Sequence, residues 1–153
     1  MVNTVLYHST APCDYLYFRG IKQLFKIGDT ISINHLVGRE DIAEFTTGVV
    51  HPFYATFALG RDAEWACRQF VLEMKEEDEE GIGTFLNIEH RSPAMLGETV
   101  TITAKISSLE HHSIVCSYEA KVGDRLIAVG SAGQKILKKE KVERLIQSIQ
   151  SGK

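Results

Sequence analysis

The sequence predicts an α+β fold in which an antiparallel β-sheet wraps around one long central α-helix, with an N-terminal extension and a C-terminal helix. Three observations predict it. From about Tyr54 to Met74, apolar side chains fall on nearly every side (Phe57, Leu59, Trp65, Cys67, Phe70, Val71, Leu72), and a helix of that kind belongs in the middle of a fold. Four strand-like segments joined by short turn-forming links follow it. The chain then ends on Val142, Leu145, Ile146 and Ile149 at i, i+3, i+4 and i+7 with lysines outside, the stripe of an amphipathic helix.

Taken in order, residues 1–27 form an extension rich in aromatics (Tyr7, Tyr15, Tyr17, Phe18, Phe25) and punctuated by Pro12 and Gly20, suited to covering a pocket or a dimer edge. After Gly28, DTISINHL sets Ile31, Ile33 and His35 against polar neighbours, a half-buried strand. Residues 38–53 read as loop, with Pro52 near a helix start. Beyond the helix come strands over Phe85–Ser92, Thr99–Ser107, Ser113–Lys121 and Arg125–Leu137; the links SLEHH and VGD between the last three suit antiparallel neighbours. One strand, a buried helix and four strands make the hotdog pattern, a single domain with its core over 28–137 and its last helix over 138–153. Such a sheet has open edges, so a homodimer is expected.

Composition narrows the function classes. A chain of 153 residues with 44% hydrophobic and 24% charged side chains is ordinary globular material, long enough to bury about 70% of its unfolded surface. A net charge of -3 lacks the basic excess of a nucleic-acid platform. The acidic block KEEDEE (Lys75–Glu80) reads as a solvated helix end. Three cysteines, Cys13, Cys67 and Cys116, give neither a disulfide framework nor a zinc ribbon, and with no leader or membrane span in the reading they point to the cytoplasm. No histidine pair has metal-ligand spacing: His111 and His112 fall in a turn, His8 and His51 in loops, so no metal is expected.

Six residues carry chemical interest, each with a plainer alternative. Glu64 is either an i,i+4 partner of Arg68 or a partly desolvated carboxylate suited to base or nucleophile work. His90 shares the even-numbered face of its strand with Leu86 and Ile88 and points inward, as a core histidine or a catalytic one. Thr56 is an N-cap or a functional hydroxyl. It stands eight residues before Glu64, about 12 Å along a straight helix, so the two meet only if the chain turns near Gly60 or across a dimer interface. Gly83 and Gly97 are turn glycines, or in the case of Gly83 a backbone amide open to a ligand oxygen. Cys67 reads as a small core residue, with a Cys/His pair to His90 as a remote option.

These residues together resemble a known family. Ala55-Thr56, Glu64-Trp-Ala-Cys67, Gly83-Thr84, His90 and the Gly97-x-TVTITAKI run, within Phe53–Leu137, are similar to the fluoroacetyl-CoA thioesterase-like hotdog proteins. The resemblance implies an acyl-CoA thioesterase site in which Glu64 is nucleophile or general base, Thr56 hydrogen-bonds and orients it, His90 polarises the thioester or assists water attack, and the Gly83 amide stabilises the oxyanion. It further implies a homodimer with the pantetheine arm along the interface, substrate contacts from Val50 and Phe57, and no cofactor beyond the coenzyme A of the substrate. Val50 stands where the fluoroacetyl-specific enzyme has a gating phenylalanine, and Ala132 where GTH-type relatives have histidine, so fluoroacetyl selectivity is not implied. Arg61, Arg68, Arg91, Arg125 and Lys135 are the candidate partners for CoA phosphates. A hotdog hydratase or dehydratase and a non-catalytic acyl-CoA or small-molecule binding module are the alternatives.

Overall fold

A computed structural model describes residues 6–8 and 24–152. Strand β1 (Leu6–His8) leads to β2 (Thr30–Leu36), a short 3-10 turn (Arg39–Asp41), and strands β3 (Ile42–Phe45) and β4 (Gly48–Tyr54). Helix α1 (Thr56–Met74) follows, then β5 (Glu79–His90), β6 (Thr99–Glu110), β7 (Ser113–Val122), β8 (Arg125–Lys138) and helix α2 (Lys139–Gln150). Six strands form one antiparallel sheet in the order β1-β2-β6-β7-β8-β5, wrapped on α1, while β3 and β4 pair separately. This is the hotdog arrangement expected, with the C-terminal helix in place.

Burial on α1 follows the helical period. Ala58, Leu59, Ala63, Ala66, Cys67, Phe70, Val71 and Met74 recur at spacings of three and four and are buried against the sheet. Alternating residues of the strands meet them: Ile31 and Ile33 on β2, and Val100, Ile102, Ala104 and Ile106 on β6. The helix is not buried all round, however. Phe57, Trp65 and Leu72 on its other side are exposed in the single chain. Gly60 lets α1 approach β5, because a Cβ there would lie 3.0 Å from Leu86 Cδ2 and 3.1 Å from Ile88 Cδ1. Gly60→Val should therefore push helix and strand apart and cost about 1–3 kcal/mol, read as a lowered urea midpoint.

Two expectations need correction. Residues 38–53 are not loop but the 3-10 turn and the β3–β4 hairpin, and Pro52 lies inside β4 rather than at a helix start. Register shifts on either side of Ala43 break the alternation that would have announced the strands, and a two-stranded sheet is all edge, where proline is tolerated. Strand β5 begins at Glu79, six residues before the predicted Phe85, so Glu79 and Glu80 of the acidic block belong to it and Glu79 is buried. Among the residues of the extension, Phe25 packs edge-on against Phe70 of α1 with ring centroids 5.0 Å apart. Pro12, Cys13, Tyr15, Tyr17, Phe18 and Gly20 lie outside the described residues. On α2, Leu145, Ile146 and Ile149 face solvent.

Candidate active site

A β-bulge places the site residues on one face. Gly83 pairs with Gln134 and Phe85 with Gly133, so Thr84 has no register partner and the side-chain alternation of β5 changes phase there. Before the bulge Gly81 and Gly83 face α1; after it Leu86, Ile88 and His90 do. Without the bulge, Gly83 and His90, seven positions apart, would stand on opposite faces.

The Thr56 hydroxyl lies 3.0 Å from His90 Nε2. Thr56 is the first helical residue; the N-cap is Ala55, which offers no side-chain cap, so the capping role for Thr56 does not hold. His90 faces the helix side yet is exposed in the single chain rather than set in the core, because β5 is the sheet edge. Glu64, half-buried two turns further along, lies over Gly83: a Cβ on that glycine would sit 2.6 Å from Glu64 Oε1. The surface pairing with Arg68 is absent. Arg68 instead donates to Glu80 at 2.6 Å and to the Gly81 carbonyl at 3.0 Å, and Glu64 has no ion pair or hydrogen bond among the described residues. Since α1 runs unbroken over 19 residues, Thr56 and Glu64 remain about 12 Å apart within one chain. The chain therefore presents two pairs, Thr56 with His90 and Glu64 with Gly83.

A groove of about 850 Å³ between α1 and β5 links the pairs and is lined by Thr56, Phe57, Glu64, Trp65, Leu86 and Ile88 among others. Thr56 and Phe57 also line a second cavity of about 510 Å³ that continues past His90 to Val50, His51 and Phe53 of β4. Val50 and Phe57 thus share a cavity with the Thr56–His90 pair, while Gly83 lines neither and sits beneath Glu64.

Sequence reasoning missed an ionic network beside the groove. The Arg61 guanidinium donates to Asp62 through Nε at 2.8 Å and to Asp41 at 2.8 Å. The Tyr54 hydroxyl donates to Asp62 at 2.5 Å, and His35 Nε2 lies 2.7 Å from Asp41. Asp41 is fully buried; burial pushes its carboxyl up, but the Gly38 amide, Arg61 and His35 outweigh burial and hold it below its ordinary value. Burial and Asp62 push the Tyr54 hydroxyl far above its ordinary range, so it stays protonated as a donor. His35, Asp41 and Asp62 converge within 4.8 Å as metal-type ligands, yet Arg61 already supplies the cation between the two carboxylates. A lone Asp beside Glu64 and a His on an alternating strand gave no signal, because the partners are spread over residues 35–62.

The remaining candidates fall away from the chemistry. Cys67 and Cys116 are buried free thiols, and contact with Cys116 together with burial raises Cys67 far above a reactive thiol, which argues against a Cys/His pair with His90. Among the basic residues, Arg91 pairs with Glu89 at 3.0 Å and Arg125 with Glu98 at 2.6 Å, while Lys135 is exposed and makes no ion pair among the described residues. Two further groups escaped the sequence: His51 Nδ1 and the whole Gln134 amide are buried with no hydrogen-bond partner among the described residues.

The model of the family described as fluoroacetyl-CoA-specific thioesterase (FlK) matches residues 37–140. A hypothetical protein of Thermus thermophilus, described as a thioesterase superfamily member, is 32% identical, with a TM-score of 0.80 over 84% of this chain and 96% of its own. The fluoroacetyl-CoA thioesterase FlK is 22% identical at a TM-score of 0.74, covering 81% of this chain and 96% of its own, and a likeness at that identity is one of fold. The same holds for a hot-dog-like protein of Thermanaerovibrio acidaminovorans, 19% identical at 0.75 over 82% and 93%. No curated protein sequence matches. With the family model spanning residues 37–140 and a thioesterase-superfamily relative 32% identical over 84% of it, the chain belongs to the fluoroacetyl-CoA thioesterase family of hotdog-fold proteins.

Proposed function

We propose that this chain is an acyl-CoA thioesterase for short or medium acyl groups whose complete site forms between two copies, the Thr56–His90 pair of one facing the Glu64–Gly83 pair of the other. The observation that carries the reading is the split of the four groups into two pairs, whose α1 members Thr56 and Glu64 stand about 12 Å apart on one unbroken helix, with Glu64 making no ion pair or hydrogen bond among the described residues. The family supplies thioester hydrolysis as the reaction, and a variant of FlK solved with fluoroacetate and CoA, 23% identical at a TM-score of 0.71, supports a CoA ester as substrate.

The dimer follows from the edge. Strand β5 is a 12-residue edge strand carrying exposed Phe85 and Leu86, beside exposed Phe57 and Trp65 of α1. A long apolar edge of this kind is stable only when covered, and a second copy covers it by two-fold pairing. The Val50–Phe57 cavity takes the acyl end, since its walls also include Phe45 and Phe53. The reactive thioester carbon lies over Gly83, with the pantetheine arm along the interface.

In this arrangement Glu64 takes a proton from water as the water oxygen bonds to the thioester carbon. The carbonyl becomes an oxyanion against the Gly83 amide, the C–S bond breaks, and the thiolate takes up a proton to leave as free thiol beside the carboxylic acid. His90, fixed by Thr56, polarises the thioester. Thr56→Val keeps the shape but leaves His90 unanchored, and is expected to lower kcat about 10- to 100-fold with little change in thermal stability. The two buried free cysteines fit a reducing compartment, and a cytoplasmic location is part of this proposal.

The test is release of free thiol from acetyl- to decanoyl- and phenylacetyl-CoA, with Glu64→Ala alongside. Turnover lost in the variant supports the reading and names the chain-length class. CoA-ester binding without thiol release would replace it with a binding module, and hydration of an enoyl thioester without free CoA with a hydratase.

A further inference from the structure

The cavity of about 510 Å³ beside the Thr56–His90 pair is walled by aromatic rings from three elements: Phe45 at the end of β3, His51 and Phe53 of β4, and Phe57 at the start of α1. His51 and Phe53 stand two residues apart on one face of β4, and their rings meet at a centroid distance of 4.7 Å with a tilt of 32°. Phe45 is 61% exposed, so most of its surface still lacks a partner in the single chain. The polar groups of the same wall are committed within the protein. Arg91 pairs with Glu89 at 3.0 Å, the Ser92 hydroxyl donates to the Leu126 carbonyl at 2.6 Å, and the Tyr54 hydroxyl donates to Asp62 at 2.5 Å. His51 Nδ1 is buried out of contact with solvent. Apart from the Thr56–His90 pair, the described wall therefore offers rings and methyl groups, and an acyl carboxylate placed against it would lose its hydration without a cation in return.

We infer that the acyl group taken by this cavity is a neutral arylacyl group, a planar ring carried on a short arm from the thioester carbon. The inference rests on the thioesterase reading for the reaction and names the substrate class of that same site. The arm is short because the ring wall begins at Phe57, the residue directly after Thr56. Two effects favour a ring over a straight chain with the same number of carbons. Aromatic rings packed with centroids about 4.5–7 Å apart gain stabilisation beyond the area they bury. A rigid ring also has fewer torsions to immobilise on entering the cavity than an alkyl chain. Both effects act on the part of the substrate remote from the reacting bond, so Phe45 and Phe53 set specificity while Glu64, Thr56 and His90 do the chemistry.

Phenylacetyl-CoA and octanoyl-CoA carry the same number of acyl carbons, and succinyl-CoA adds a carboxylate. For the parent, kcat/KM with phenylacetyl-CoA is expected to exceed that with octanoyl-CoA about 10-fold and that with succinyl-CoA about 100-fold. Phe53→Leu and Phe45→Leu each keep an apolar wall and remove a ring, and each is expected to lower the phenylacetyl-to-octanoyl ratio about fivefold. A parent ratio of one or less, or a ratio that neither variant lowers, overturns the inference, while Glu64-dependent thiol release in the same assays keeps the thioesterase reading. If no ester releases thiol, that reading fails, and calorimetry with the same three CoA esters decides the ring inference: tighter binding of phenylacetyl-CoA than of octanoyl-CoA supports it, and equal or weaker binding overturns it. Should Phe53→Leu not fold, the parent ratio and Phe45→Leu, at an exposed position, decide.

Discussion

Replacing Glu64 with alanine is expected to lower kcat for thioester hydrolysis by about 1,000-fold while the protein stays folded. The two halves of that expectation have separate causes. Activity falls because Glu64 is the carboxylate that lies over Gly83, against the position where the oxyanion would form, and α1 places no second carboxylate there. Asp62, two positions earlier, is already bound by Arg61 and Tyr54. Stability holds because Glu64 is half-buried and has no ion pair or hydrogen bond among the described residues to lose. Thiol-release kinetics with a melting curve on the same sample check both halves. A variant that loses activity by unfolding would not bear on the mechanism.

The opposite pattern is expected at Asp41. Asp41→Ala should cost about 3 kcal/mol, or a fall of about 9 °C in melting temperature, because it strips partners from Arg61, His35 and the Gly38 amide at a fully buried position. Its backbone carbonyl also accepts the Ala55 amide at the head of α1, so the network holds the helix start that carries Thr56. The pH dependence has a definite sign. Asp41 is held below the ordinary carboxylate value, so its contribution is full above the unfolded value of about 3.9 and is lost as pH falls through the lower folded value. The parent should lose stability below about pH 4 more steeply than Asp41→Ala, a difference that acid titration followed by circular dichroism measures.

The parts of the fold legible in the sequence were those with an uninterrupted period. Ile31 and Ile33 and the alternating Val100, Ile102, Ala104 and Ile106 each keep one period over their length and form the expected strands, while α1 was legible as a long apolar run but its exposed side with Phe57, Trp65 and Leu72 was not. The β3–β4 hairpin and the start of β5 were not legible because register shifts next to Ala43 and the bulge at Thr84 reset the alternation. Thr56, Glu64, Gly83 and His90 could be chosen by type and spacing. That Thr56 meets His90 and not Glu64 depends on the bulge and on the straightness of α1, which are tertiary facts. The Arg61 network and the orphaned Gln134 amide depend on contacts between elements far apart in sequence, and a single residue of either kind carries no pattern.

Whether each site is shared between two copies can be read from mixed dimers. Glu64→Ala and His90→Ala proteins are each expected to be inactive. After subunit exchange about half of the dimers carry one of each, and in every such dimer one site pairs an intact Thr56–His90 with an intact Glu64–Gly83. The mixture is expected to regain about a quarter of the parent thiol-release rate; a mixture that exchanges subunits and stays inactive would show that the four groups act within one chain and that no site is shared.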